Sequence, residues 1–410
     1  MTANDILITH LPEVDQSVSF DALIDVSGRA KDAFGQIRNR LLEPYPRKKA
    51  PEFSTAALTT LCGIDRQKQR YLASKGNLPT GTLPGNGKAK VYTLAETIAW
   101  IQATSKRTQR PSGARARVYA VGNFKGGVGK SATTVSEAQA LTLLGRRGLI
   151  IDCDPQGSAT QLCGYAPEAE IPEDKTLLPL IYGDQQSLDY AVMETYWQNL
   201  DLIPASAALF DAEFEIPSKV LNDPRFEFWD IINKGLHAPL RDAGEDGARS
   251  LLDRYDFVIV DTPPALSYLT INALIAADGI LMPCPPEGLD FASSTQFWSL
   301  FSDVGSNLPG VKQNKRYDFV KVLMTKARTT DTSRAVQGWL RMAYGDHVLP
   351  YIIPESKIQQ DASAMLSTIY DLPKADVRNS TYSRLREPLD QLAEYLDDQL
   401  VTAWMKEIAQ

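Results

Sequence analysis

The sequence predicts an α/β protein in which a parallel sheet, covered by helices on both faces, follows a smaller and mainly helical front segment. Three observations predict it. From Arg117 onward, short apolar runs alternate with helical stretches. Strands that are apolar throughout, rather than at every second residue, belong to sheets buried on both faces. One strand-to-helix junction, "VGNFKGGVGKSATT" (121–134), is dense in glycine. Upstream, "STAALTTLCGIDRQKQRYLASKGNLP" (54–79) reads as helix, glycine turn, helix.

Composition sets the frame. A chain of 410 residues, 43 % hydrophobic and 23 % charged, suffices for two or three domains with buried cores. No apolar run is long enough to cross a membrane. The start, "MTANDILITHLPEVDQ", has neither the basic opening nor the apolar core of a signal peptide. A cytoplasmic location is therefore expected. Cys62, Cys153, Cys163 and Cys284 form no C-x-x-C pair, so reduced thiols are expected and a zinc or iron–sulfur site is not. His10, His237 and His347 fall in no metal-binding or triad pattern. The net charge of −7 conceals an asymmetry: residues 1–117 carry 18 basic and 10 acidic side chains, a net +8, and the remainder carries −15. A basic front on an acidic body points to a polyanion-binding module joined to something else.

The elements follow in order. From about Ser17 to Leu42, Leu23, Ala30, Phe34, Ile37 and Leu41 recur at 3–4 spacing, with Phe20 ahead of them and Ser27 filling one place. This predicts a helix with a coiled-coil-like seam that suits a second copy of the chain. "EPYPRKKAP" ends it, because proline cannot continue a helix. In the helix–turn–helix, Ser54 or Thr55 caps the first helix and Asp65 the second. Ala57, Leu58 and Leu61 give the first an apolar face; Tyr71 and Leu72 do so for the second. The glycine- and proline-rich "LPTGTLPGNGKAKVY" then reads as a β-wing, with a further helix from about Leu94. The pattern is that of a winged helix-turn-helix. Arg66, Gln67, Lys68, Gln69 and Arg70, with Lys75 and the wing lysines Lys88 and Lys90, suit phosphates and base edges of duplex DNA. "SKRTQRPSGARAR" reads as a polar, basic linker.

The glycine-rich junction has the context of a phosphate-binding loop, after a strand and opening a helix. Gly126, Gly127 and Gly129 let the backbone turn its N–H groups onto phosphate oxygens, together with Val128 and Ala132. The helix start near Lys130 adds its partial positive charge. Lys130 can reach the β- and γ-phosphates, and Ser131 can bind Mg²⁺. A literal G-x-x-x-x-G-K-[ST] match fails at Phe124. Lys125 instead adds a second lysine at the lip. It is badly placed for its own nucleotide and well placed to reach a partner's phosphates, as an arginine finger does.

"FKGGVGKS" resembles the deviant Walker A of the ParA/MinD ATPases, marked by the extra lysine of K-G-G-x-G-K-[ST]. The resemblance covers residues 117–375 and implies an ATP- and Mg²⁺-bound sandwich dimer in which Lys125 acts in trans. "GLIIDCDPQGSAT" resembles the family's D-x-D-P-Q-G element. It implies that Asp154 orients the attacking water and Asp152 supports the Mg²⁺ shell. "YDFVIVDTPPALSYLTINAL" resembles the Walker B and switch region, implying a metal role for Asp261. "GILMPCPPEGLDFASSTQF" and "LMTKARTTDTSRAV" resemble segments near the adenine, implying Pro286, Glu287 and Met324 there. The winged helix-turn-helix fits the larger, plasmid-borne members, whose front domain binds the operator of their own operon. The family also binds bulk DNA when loaded with ATP, for which Lys321, Lys326, Arg328 and Arg334, or Lys374, Arg378, Arg384 and Arg386, supply basic clusters.

The resulting expectation is a parallel-sheet P-loop NTPase domain (117–410) preceded by an N-terminal dimerisation helix (1–48) and a winged helix-turn-helix domain (49–110). By resemblance it is a slow ATPase cycling between ATP and ADP, with DNA and a ParB-type centromere-binding protein as partners, at the nucleoid in the cytoplasm. Three rival readings compete with it. A membrane-positioning ATPase of MinD type would end in a basic amphipathic helix, whereas "REPLDQLAEYLDDQLVTAWMKEIAQ" is acidic. An iron–sulfur reductase lacks its cysteine spacing. A repressor with ATP only as an allosteric ligand would not need Asp154.

Overall fold

The computed structural model describes residues 17–42, 48–85, 89–241, 249–372 and 379–409. The chain divides into two units, Met1–Lys49 and Ala50–Gln410. Within the first, α1 spans Phe20–Leu42. The expected seam is helical, and its described apolar side chains face solvent: Phe20 is 77 % and Leu23 52 % exposed, with Ile24 and Val26 also open.

The second unit begins with a two-stranded antiparallel sheet, β1 (Phe53–Ser54) paired with β2 (Val91–Tyr92). Between them lie α2 (Thr55–Leu61) and α3 (Arg66–Ser74). Each helix starts where its cap dictates. Ser54 Oγ accepts from the Ala57 N–H, and Asp65 Oδ1 from the Lys68 N–H at 2.7 Å. Gly63 makes the turn with φ +59°, a left-handed conformation that favours glycine. A short bridge between Thr82 and Val91 leads back to β2. The wing tip residue Lys88 lies outside the described residues. α4 (Leu94–Thr104) opens with a capping box of Thr93 and Glu96. Its Leu94, Ile98, Trp100 and Ile101 are buried with Leu58 and Tyr92.

The body is an eight-stranded sheet. Its strands are β3 (Arg117–Val121), β4 (Gly148–Asp152), β5 (Met193–Glu194), β6 (Leu200–Ile203), β7 (Phe257–Asp261), β8 (Gly279–Cys284), β9 (Phe319–Ala327) and β10 (Val348–Pro354). They lie in the order β10-β9-β8-β3-β7-β4-β6-β5. All pairings are parallel except that of β5 with β6. From β3 the chain builds to β4, β6 and β5 on one side, with β7 inserted beside β3, and to β8, β9 and β10 on the other, a reversal that creates a crevice at the strand C-termini.

Both faces are covered. Tyr119 and Val121 enter one apolar cluster, while Val118 and Ala120 enter two others on the far face. α5 (Lys130–Thr142), α6 (Ala212–Asn222), α7 (Tyr268–Ala276), α8 (Gly288–Asn307), α9 (Asp331–Tyr344), α10 (Lys357–Ala364) and α11 (Asn379–Ile408) are the longer helices of the body. Gly148 is required by packing, since an added Cβ would overlap the Phe257 ring.

The segment read as a linker is pinned to the body. Arg107 pairs with Asp397 at 2.9 Å, and Arg146 pairs with the same carboxylate at 2.6 Å. Arg146 also donates to the Thr108 carbonyl. Arg110 donates to the carbonyls of Leu252, Asp253 and Tyr255. Ala114 and Ala116 are buried. A cleft of about 660 Å³ lies between the α2–α3 turn, the end of α5 and α11. The four cysteines are buried and form no disulfide.

Candidate active site

Strand register assembles the site. Val121, Asp261 and Asp152 are the last residues of adjacent parallel strands, and Asp261 is the register partner of both others. The chain leaves Val121 into the loop, so the loop faces two carboxylates. Gly127 (φ +74°) and Gly129 (φ +99°) take left-handed conformations. Gly129 is the N-cap of α5, which therefore begins at Lys130.

Lys130 is 6 % exposed and donates to the Lys125 carbonyl at 3.2 Å. Burial lowers its pKa, opposed by Asp261 and Asp154. Asp152 is held by the Thr160 N–H and hydroxyl at 2.8 and 2.7 Å and by the Asp154 N–H. Burial still pushes its carboxyl up to about 7. Burial, then the Asp152 charge, pushes Asp261 up to about 8. Asp261 Oδ1 accepts from Thr134 at 3.2 Å, whereas the buried Oδ2 has no partner. Asp154 is also raised by burial and accepts from the Gln156 N–H. Three buried carboxylates face one lysine. That excess of negative charge, with one carboxylate oxygen unpartnered, fits a divalent cation beside a phosphate.

A cavity of about 570 Å³ opens here. The loop residues Gly126, Gly127, Gly129, Lys130, Ser131 and Ala132 line it, with Asp154 and Pro264. Val128 is buried beneath the loop, its carbonyl accepting from Thr325 Oγ1 at 2.8 Å. The remaining wall is Ser158, Gln161 and Leu162, Lys326 at the end of β9, Glu355 and Ser356 after β10, Gln359 and Gln360 on α10, and Leu366. Ser356 is 6 % exposed and its hydroxyl is unpartnered.

Three residues expected near the adenine are not part of this wall. Met324 is wholly buried in the core, Pro286 is buried, and Glu287 is exposed and paired with Arg328 at 3.4 Å. None of the three lines the cavity. Strand alternation explains Met324, which shares the sheet's packed face with Val322, three residues before the strand end. Lys326, expected on a DNA surface, instead lines the cavity and donates to the Gly127 carbonyl at 2.5 Å from a backbone with φ +51°. Arg328 is bonded to Glu355 at 2.8 and 3.1 Å, and Arg334 to Asp331. Arg386 is held by Asp390 and stacks on Tyr370, so it offers no open charge. Lys321 donates to the Asp346 carbonyl and Arg384 to that of Glu355. Lys374 and Arg378 lie outside the described residues.

Lys125 sits at the lip, about one-third exposed. Its ammonium is bound to Asp290 Oδ2 at 2.7 Å, while Asp290 itself is 2 % exposed at the start of α8. Its N–H is fixed by Asn123 Oδ1, and Asn123 donates to the Pro283 carbonyl. Sequence patterns do not single out Asp290 or Thr160: a carboxylate 165 residues from its lysine leaves no local signal.

On the front segment, Arg66, Gln67, Lys68 and Arg70 of α3 are exposed, as are Lys75 and Lys90. Gln69 is not. It is 5 % exposed and donates to Tyr92 Oη at 2.9 Å, because it shares the inward face of α3 with Leu72 and Ala73. Tyr71, expected inside, is 57 % exposed.

A family model described as an AAA domain matches residues 116–309. The chromosome partitioning protein ParA of Caulobacter vibrioides is 32 % identical over 259 residues, covering 62 % of this chain and 88 % of that protein. A solved partition protein shares the fold over 93 % of this chain and 98 % of its own, with a TM-score of 0.61 at 19 % identity. A form of Cyanothece McdA in complex with ATP matches 68 % of this chain and 97 % of its own, with a TM-score of 0.52 at 21 % identity. Among the described residues, no helix is long and apolar enough to cross a membrane. With its parallel sheet, phosphate loop and register-aligned aspartates, the chain belongs to the ParA family of partition proteins, built on the P-loop NTPase fold.

Proposed function

We propose that the chain is a DNA-partition ATPase whose site is completed by a second copy of itself. The observation that carries the reading is the pair of lysines on one loop, Lys130 buried against aspartates and Lys125 held outside at the lip. ATP would lie along Gly126–Ala132, with Lys130 against its outer phosphates and the nucleoside toward Lys326 and Ser356. Ser131 and Asp261 would hold Mg²⁺, with Asp152 supporting them; the ion would neutralise phosphate charge. Asp154, at the cavity edge, would orient the attacking water. Lys125 would leave Asp290 and enter the partner's site, where its charge opposes the charge developing on the transferred phosphoryl group.

The rest of the cycle extends that reading. ATP would close the dimer and favour bulk DNA, and a ParB-type centromere-binding protein would speed hydrolysis. α1 would hold a standing dimer through its open apolar side chains. The α2–α3 unit with its β2 bridge would act as a winged helix-turn-helix on operator DNA, so the protein would repress its own operon and work at the nucleoid in the cytoplasm. One observation favours a second reading, a nucleotide-responsive repressor without a hydrolytic cycle. α5 starts at the phosphate loop, and just past its end Gly145 packs against Ile101 of α4.

ATP turnover of wild type and Asp154→Ala, with and without nonspecific DNA, tests the choice. Weak hydrolysis, stimulated by DNA and lost in the variant, supports the partition cycle. ATP binding without turnover under every condition leaves only the repressor.

A further inference from the structure

We infer that Gln67 and Tyr71 are the base-reading residues of α3, and that Arg66 with Arg70 on one edge and Lys68 with Lys75 on the other are its phosphate clamps. This rests on the operator-binding reading and assigns what that reading leaves open. At 3.6 residues per turn, Gln69, Leu72 and Ala73 fall on one side of α3. That side is occupied: Gln69 is buried against Tyr92, and Leu72 and Ala73 pack on the core. The opposite ridge is therefore the one that can enter a groove. Gln67 and Tyr71 stand on it, one turn apart and both exposed.

The basic residues divide to either side of that ridge. Arg66 and Arg70 lie four residues apart on one edge. Lys68 and Lys75 lie seven apart on the other, where Lys68 borders the cleft against the body. A helix seated in a major groove meets a phosphate wall along each edge, and side chains there position the protein without reading sequence. Only the central ridge reaches base edges. Tyr71 is also held for the task, since the Lys75 ammonium sits 4.7 Å from its ring centroid.

The chemistry specifies what is read. A glutamine amide donates and accepts at once, which matches adenine N6 and N7; an aromatic ring edge packs on a thymine methyl. Four residues of helix rise about 6 Å, roughly two base-pair steps. The preferred half-site would then hold an adenine opposite Gln67 and a thymine about two steps away beneath Tyr71.

The test uses the full-length protein with Mg·ADP and selection from a randomised duplex library, followed by binding to the selected and a scrambled duplex. Gln67→Ala should relax the adenine position alone and Tyr71→Ala the thymine position alone, each lowering the specificity ratio roughly 5- to 150-fold. Lys68→Ala should weaken both duplexes alike and leave the ratio unchanged. Thermal melting and ATP turnover, which these exposed residues should not move, control for folding. Wild type selecting a sequence while Gln67→Ala and Tyr71→Ala keep its specificity would overturn the assignment and leave the DNA-binding reading standing. Wild type retaining no duplex would overturn both.

Discussion

The phosphate loop and α3 both present lysine and arginine, yet they use charge in opposite ways. Lys130 is buried among three carboxyls that burial pushes upward, with repulsion between carboxylates adding to the shift at Asp152 and Asp261. Arg66, Lys68 and Arg70 stand in solvent. Buried charge is poised by its surroundings, so losing a partner there costs chemistry. Exposed charge is screened by salt, so losing one there costs affinity in proportion to the phosphates contacted. Lys125 is intermediate: a half-open lysine tied to a buried aspartate, which suits a group that must change partners.

The comparison can be broken most sharply at the lip. Lys125→Ala should lower turnover by about 10³-fold, as loss of a trans-acting cation does, while ATP binding survives. Single-turnover hydrolysis beside nucleotide-binding fluorescence reads both; unchanged turnover would make Lys125 an ordinary surface lysine. Asp154→Ala should cost about 10²- to 10⁴-fold in turnover.

The next largest effect is expected at the joint between the two regions. Arg146 and Asp397 are 1 % and 2 % exposed and Arg107 shares the carboxylate. Asp397→Ala strands a buried guanidinium and should cost about 3–5 kcal/mol, seen as a fall in the urea midpoint. A neutral result would mean that the front segment is not fastened through this pair.

A smaller effect sits behind the loop on α5. Glu137 is buried, neither carboxylate oxygen has a partner, and burial followed by Asp390 raises its pKa well above 4.5 against the opposing Arg386 charge. The unfolded chain therefore releases this proton first as pH rises, and stability is lost from about pH 4.5 upward. Glu137→Gln should match wild type near pH 4 and melt roughly 2–4 °C higher at pH 8. The smallest effect belongs to the exposed helix: Lys68→Ala should reduce the slope of log affinity against log salt by about 0.9 for any duplex.

How legible all this was depends on the range of the interaction. The loop, the strands and the aspartates at their ends are local patterns, and strand register then brings Asp152 and Asp261 together. Ser54, Asp65 and the Thr93–Glu96 box cap helices within three residues, so those starts were readable or nearly so. What failed was facing. Within "RQKQRY" the polar Gln69 points inward and the aromatic Tyr71 outward, because one buried hydroxyl, that of Tyr92, satisfies the amide. Met324 and Lys326 are two residues apart on one strand, yet one is core and the other cavity wall. The segment Glu355–Leu366 reaches the loop only through tertiary folding.

The central claim is that Lys125 serves the other subunit, and mixing two inactive variants tests it most directly. Lys125→Ala keeps its own Asp154; Asp154→Ala keeps a lysine to lend. Equal amounts of the two, with ATP and Mg²⁺, should recover about a quarter of wild-type turnover, the statistical yield of one intact site in half the randomly paired dimers. If Lys125 acts within its own chain, every site lacks either the lysine or the aspartate. The mixture would then stay as inactive as its components, which would contradict the account.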